Sequence, residues 1–123
     1  MAGCCCGSNG VKLIYACSGA ANTGYLADSS SRRLMKEGYG KMTCLAALGA
    51  DLSGFIESAK CAEENIVIDG CPVACGKKIF DKLALPYTHY ITTEFGVEKG
   101  RTEITDEIID SVAGSIKNPV RQR

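Results

Sequence analysis

The sequence predicts a single α/β domain of three layers, a Rossmann-like arrangement in which helices cover both faces of a mainly parallel sheet of about four strands. Short apolar runs rich in β-branched residues alternate along the chain with segments of helical periodicity, which is the order of parallel β-α units. One of these runs is continuous rather than alternating, as in a strand buried on both faces. The 123 residues suffice for one ordinary core and are too few for two.

The clearest strand is the run NIVID, residues 65–69, because it is β-branched and bounded by turn residues. Shorter apolar runs predict the other strands, at residues 11–16, 41–45 and 88–93. The run beginning at residue 41 also fits the front of a helix, since apolar runs of this length are ambiguous. Amphipathic stripes and helix-ending residues predict four helices, within residues 21–38 and at 51–64, 72–85 and 105–117.

The two ends of the chain differ in composition from its body. Residues 1–10 consist mainly of Gly, Ser, Asn and Cys, which predicts a flexible, cysteine-rich arm. Residues 11–118 form the predicted α/β domain, and residues 119–123 form a polar tail.

Charge and hydropathy exclude several classes of function. Lys plus Arg equals Asp plus Glu at 14 each, so there is no basic excess to favour a nucleic acid or a membrane surface as partner. A net charge of zero permits a homo-oligomer. The apolar runs are too short to cross a bilayer, and the first residues lack the features of a secretory signal, so we expect a cytoplasmic protein. Eight cysteines in a reducing compartment indicate metal binding or thiol chemistry rather than a disulfide framework.

Four of the cysteines follow predicted strands. Parallel sheets place their ligand sites beyond the carboxyl ends of the strands. Cys17 ends the first predicted strand, Cys44 lies near the end of the second, and Cys71 follows the third, with Cys75 in the next helix. We therefore expect these four thiols to converge at one edge of the sheet and to bind a metal ion.

The segment DGCPVACG suggests how two of these thiols are activated. If Cys71 caps a helix that starts at Pro72, Cys75 lies four residues further on the same helix face. The free N–H groups of that first turn and the nearby Lys77 and Lys78 would stabilise thiolates, which both metal binding and nucleophilic chemistry require.

Several alternatives stay open at this point. Four cysteines suit zinc, and they also suit an iron–sulfur cluster. The same pair suits a thiol redox or sulfur-transfer enzyme that uses Cys71 with Cys75 or with an N-terminal cysteine. For Cys44 packing and ligation are equally favoured, whereas Cys61 is best explained as a buried structural thiol. His89, the only histidine, is expected at the start of a strand, away from the cysteines.

The N-terminal arm contains three adjacent cysteines, Cys4, Cys5 and Cys6. They are candidate accessory thiols that could deliver or resolve a metal, a sulfur atom or a disulfide. They also suit a weakly constrained tail without a function.

From about residue 11 to about residue 100, the chain resembles the DGC-domain proteins, small bacterial and archaeal proteins named for an Asp-Gly-Cys motif. The resemblance is clearest in MTCLAALGADLSGFIESA and IDGCPVACGKK. It implies zinc binding, and it implies that the family's four shared cysteines correspond to Cys17, Cys44, Cys71 and Cys75. It implies no established reaction, and Cys61 falls outside the pattern.

Overall fold

A computed structural model describes residues 10–119 of the chain. Its four strands form one parallel sheet in the order β2-β1-β3-β4. In chain order the strands and helices are β1 (Lys12–Ala16), α1 (Asn22–Lys36), β2 (Lys41–Met42), α2 (Leu45–Gly49), α3 (Ser53–Cys61), β3 (Glu64–Asp69), α4 (Cys75–Lys82), β4 (Thr88–Ile91) and α5 (Asp106–Lys117). A 3₁₀ helix, Thr92–Phe95, follows β4 directly. The predicted α/β class and parallel sheet are confirmed.

Two hydrophobic layers enclose the sheet. On one face Ile14, Ile66 and Ile68 pack with α1 and α5. On the other face Tyr15 and Val67 pack with α2, α3 and α4. Side chains of a strand alternate between the two faces, and both faces of β3 are covered, so Ile66, Val67 and Ile68 are all buried. No helix within residues 10–119 is long and apolar enough to cross a membrane.

The ends of several predicted elements were wrong. The second strand stops at Met42, and a short helix, Leu45–Gly49, replaces its predicted end. Ala and Leu favour helix once the edge strand has no further partner to pair with. The next helix starts at Ser53. Asp51 adopts a left-handed conformation (φ 61°), so α2 and α3 cannot form one continuous helix.

The helix predicted at residues 72–85 begins at Cys75 rather than at Pro72. Ala74 has φ 55°, so the residues before it cannot belong to the same right-handed helix. The last helix was predicted correctly, and the hydroxyl of Thr105 accepts a hydrogen bond from the Ile108 N–H at 3.3 Å.

Candidate functional site

The cysteines of interest lie at the carboxyl edge of the sheet, beside its topological switch point. From β1 the chain crosses to β2 on one side and, after β2, to β3 on the other. Ligand sites of open parallel sheets form in the crevice between two such strands. Cys17 follows β1 directly and Cys71 lies two residues after β3, so these two thiols flank the crevice.

The Cys17 thiol is fixed by the turn that leaves β3. The Gly70 N–H donates a hydrogen bond to Cys17 Sγ at 3.0 Å. Burial raises the pKa of the half-buried Cys17 thiol, and the hydrogen bond from Gly70 opposes that rise in part. Asp69, Cys75 and Cys71 are close enough to raise the pKa of Cys17 further through their charges. Burial and these neighbouring charges therefore disfavour the thiolate form of Cys17.

Gly70 is required by close packing between the two turns. A Cβ atom at this position would lie 2.7 Å from the carbonyl carbon and oxygen of Thr23, in the first turn of α1. The carbonyl of Gly70 also accepts a hydrogen bond from the buried Thr92 hydroxyl at 2.8 Å. These contacts fix the backbone that leads into Cys71.

Asp69, the last residue of β3, caps α4 from outside the helix. Its carboxylate is 1% exposed and accepts hydrogen bonds from the N–H groups of Gly76 at 2.8 Å and Lys77 at 3.1 Å. Ala74, at the cap position itself, provides no side-chain hydrogen bond. Asp69 thus satisfies two free N–H groups at the positive end of the helix dipole, whereas the sequence analysis had expected Cys71 to cap this helix and the N–H groups to stabilise thiolates.

The predicted relation between Cys71 and Cys75 was wrong. Cys71 does not cap the helix, and Cys75 is the first residue of α4, so the two thiols do not share a helix face. A turn joins them instead, closed by a 3.0 Å hydrogen bond from the Ala74 N–H to the Cys71 carbonyl. The left-handed conformation of Ala74 costs about 1 kcal/mol, which the capping by Asp69 offsets.

His89 lies next to this motif rather than away from it. Its Nε2 is 2.7 Å from Oδ2 of Asp69, and its ring is largely buried. Parallel pairing places His89 beside Val67 on the neighbouring strand. The His89 ring therefore reaches the carboxylate of Asp69, two residues after Val67 in β3. The sequence prediction that His89 lies at the opposite end of the sheet from the cysteines was wrong.

The four predicted thiols line two cavities that share part of their walls. A cavity of about 520 Å³ is lined by Cys17, Cys44 and Cys75, and a smaller one of about 210 Å³ by Cys17, Cys71 and Cys75. Cys17 and Cys75 therefore lie between Cys44 on one side and Cys71 on the other. Within residues 10–119, no three His, Cys, Asp or Glu side chains are already grouped as metal ligands.

The positive charge near Cys71 comes from a residue that sequence analysis missed. The Lys77 ammonium pairs with Asp81 at 2.9 Å. Lys99 lines the smaller cavity instead, with its Nζ 3.6 Å from Cys71 Sγ. Neither Lys99 nor His89 is near the cysteines in sequence, and only the fold brings them together.

The remaining cysteines do not join this edge in the described part of the chain. Cys61 ends α3, shortly before β3 begins, and so lies toward the amino edge of the sheet. Cys4, Cys5 and Cys6 lie outside the described residues, and their accessory role remains a prediction.

These features define a small, cysteine-rich α/β protein whose thiols collect at the carboxyl edge of a parallel sheet. The family model of the DGC domain matches residues 13–116, so the chain belongs to the DGC domain family. It is also 32% identical over 90 residues to the anaerobic and virulence modulator AnvM of Pseudomonas aeruginosa, a match that covers 72% of this chain and 69% of AnvM. No solved structure is significantly similar to the chain.

Proposed function

We propose that the protein binds one zinc ion through Cys17, Cys44, Cys71 and Cys75. The observation that supports this most directly is that two adjoining cavities at one sheet edge are lined by these four thiols, with Cys17 and Cys75 common to both. Four thiolates form a closed tetrahedral site of the kind found in structural zinc centres.

The donor set fits zinc in its chemistry, but no three of these four thiols are already grouped as ligands, so more than one of them must move when zinc binds. Cys44 is exposed at the cap of a five-residue helix that follows a two-residue edge strand. Cys44 is therefore the thiol that we expect to move furthest when zinc binds. Metal binding is commonly coupled to a local rearrangement of this kind, because a preformed set of ligands rarely exists before the metal binds.

The surroundings also suit a negatively charged centre. A zinc ion with four thiolates has a net charge of about −2. The ammonium of Lys99 lies beside Cys71 and stabilises negative charge there. The first N–H groups of α4 are already taken by the Asp69 carboxylate, so Lys99 is the positive group to which we assign this effect.

Elemental analysis of protein purified without oxygen tests the proposal. We expect about one zinc per chain, a colourless solution, and four ligand thiols that react with a titrating reagent only after denaturation. Cys71→Ser should lose tightly held zinc, whereas Cys61→Ser, toward the opposite edge, should retain it. A Cys71→Ser protein that binds zinc with wild-type stoichiometry and affinity would exclude the site, and a brown protein containing iron and sulfide would favour an iron–sulfur cluster.

Thiol chemistry is the second candidate function. It is favoured by Cys71 and Cys75 lining the same cavity, with a lysine beside Cys71. In this reaction the Cys71 thiolate attacks a small disulfide and releases one thiolate. Cys75, or an N-terminal cysteine, then attacks the mixed disulfide as a thiolate and releases the second, so the small disulfide is reduced and the protein pair is oxidised. Protein that contains no zinc when purified without oxygen, and that forms a Cys71–Cys75 disulfide on mild oxidation, would support this function over zinc binding.

A further inference from the structure

A short loop after β4 is attached to the first residue of α1. Asn22 makes three hydrogen bonds to this loop, residues 97–102, which we call the Lys99 loop. Its Nδ2 donates to the carbonyls of Glu98 at 3.0 Å and Thr102 at 2.8 Å, and its Oδ1 accepts from the Gly100 N–H at 2.7 Å. One side chain thus holds three backbone positions of the loop.

The Lys99 loop is also closed by its own hydrogen bonds. The Thr102 hydroxyl accepts from the Glu98 N–H at 2.8 Å, and the Thr102 N–H donates to the Glu98 carbonyl at 3.1 Å. Gly100 has φ 82°, a conformation that glycine adopts without strain. Val97, at the start of the loop, is buried in the core with α1 and α5. The loop is therefore anchored at its start and along its length.

This anchoring places the side chain of Lys99 over the smaller cavity. Its Nζ lies 3.6 Å from Cys71 Sγ, and Lys99 lines the cavity together with Cys17 and Cys75. Within residues 10–119, Lys99 forms no ion pair with a carboxylate, in contrast to Lys77, which is paired with Asp81. The Lys99 ammonium therefore interacts with the Cys71 thiol rather than with a carboxylate.

We propose that Lys99, held in place by Asn22, is a positioning residue of the cysteine site that offsets the negative charge of the thiolates and favours anionic over neutral reactants at Cys71. The charge-offsetting part rests on the proposed zinc binding. The preference for anionic reactants does not, because it applies to the metal-free thiol as well.

Two alkylating reagents of similar size and different charge test the preference for anionic reactants without zinc. In metal-free, reduced protein, the rate of modification of Cys71 is measured by mass spectrometry for iodoacetate, an anion, and for iodoacetamide, which is neutral. The ratio of the two rates is independent of the fraction of thiolate, because both reagents attack the same species. We expect Lys99→Gln to lower this ratio about threefold to fivefold, as expected for one charge removed at this distance in water. Lys82→Gln, at the far end of α4, should leave the ratio unchanged.

Asn22→Ala tests whether the clamp positions Lys99. We expect this variant to lower the ratio in the same direction as Lys99→Gln, and also to lower the melting temperature. Lys99→Gln should change the ratio without lowering the melting temperature. A Lys99→Gln protein with the wild-type ratio would overturn the proposal, and an Asn22→Ala protein that folds and keeps the wild-type ratio would overturn the positioning by Asn22.

Zinc affinity, measured by competition with a chelator, provides the second readout. We expect Lys99→Gln to bind zinc several-fold more weakly than the wild type, with unchanged stoichiometry. Equal affinity would remove the charge-offsetting role even if the reagent ratio changed. If the wild type binds no zinc, the proposed function fails, and the reagent ratio still decides the role of Lys99 at Cys71.

Discussion

The cysteine edge has two sides that are built differently. On one side, Cys17 and Cys71 follow the central strands β1 and β3, where the Gly70 N–H and Lys99 contact their sulfur atoms. On the other side, Cys44 is exposed and follows the edge strand β2. We infer that the site is anchored on its central side and adjustable on its edge side.

Strand pairing explains the difference. All five residues of β1 pair with β3. The pairing of β1 with β2 involves only two residues of β2, Lys41 and Met42. Long ladders with buried side chains fix the carboxyl ends of β1 and β3, and a two-residue strand fixes little beyond its own position. The predictions below test this contrast, beginning with the largest expected effect.

Replacing Asp69 should damage the anchored side most. Asp69→Ala removes a buried carboxylate that caps two N–H groups of α4 and pairs with His89. We expect a loss of about 3 kcal/mol in the free energy of unfolding, because a buried charged partner and a helix cap are lost together. Urea denaturation of the metal-free protein measures this loss.

Hydrogen exchange shows whether the loss is local to α4. The amides of Gly76 and Lys77 should exchange faster in Asp69→Ala than in the wild type, since both lose their acceptor. Asp81→Ala is the matched control, because Asp81 is an exposed carboxylate on the same helix. It should change stability far less, and equal losses in the two variants would contradict the capping role of Asp69.

The sequence was sufficient for the parts of the fold that local pattern determines. The β-branched run at 65–69 predicted β3, and the stripe after Thr105 predicted α5. The start of α4 was predicted wrongly because Pro72 is a local signal for a helix start, whereas the cap comes from Asp69 at the end of the preceding strand. An Asp that ends a buried strand shortly before a helix is a signal that could have identified this cap.

The convergence of the four cysteines at one sheet edge was easier to predict than the residues that surround them. Parallel β-α order is enough to bring residues after β1, β2 and β3 to one edge, and the structure places all four predicted thiols around the two cavities there. Lys99, Asn22 and His89 were missed because their roles depend on loop packing and strand register. Neither of these follows from spacing along the chain.

Removing single thiols compares the two sides directly. Cys17→Ala leaves the Gly70 N–H without its acceptor at a half-buried position, so we expect a loss of about 1 kcal/mol in the metal-free protein. Cys44→Ala, at an exposed position, should change stability by less than about 0.5 kcal/mol. Urea denaturation in the presence of a chelator measures both. A larger loss for Cys44→Ala than for Cys17→Ala would show that the edge side is the anchored one.

The smallest expected effect is a pH dependence on the anchored side. Burial raises the pKa of Cys17 in the folded chain, whereas in the unfolded chain the thiol loses its proton near its ordinary value of about 8.5. The stability that this difference contributes is fully present below the unfolded pKa and is lost as pH rises through the folded one. Between pH 7.5 and pH 9.5, roughly the range before tyrosines titrate, metal-free wild-type protein should therefore lose more stability than Cys17→Ala. Parallel curves of unfolding free energy against pH for the two proteins would mean that Cys17 is as solvated in the fold as in the unfolded chain.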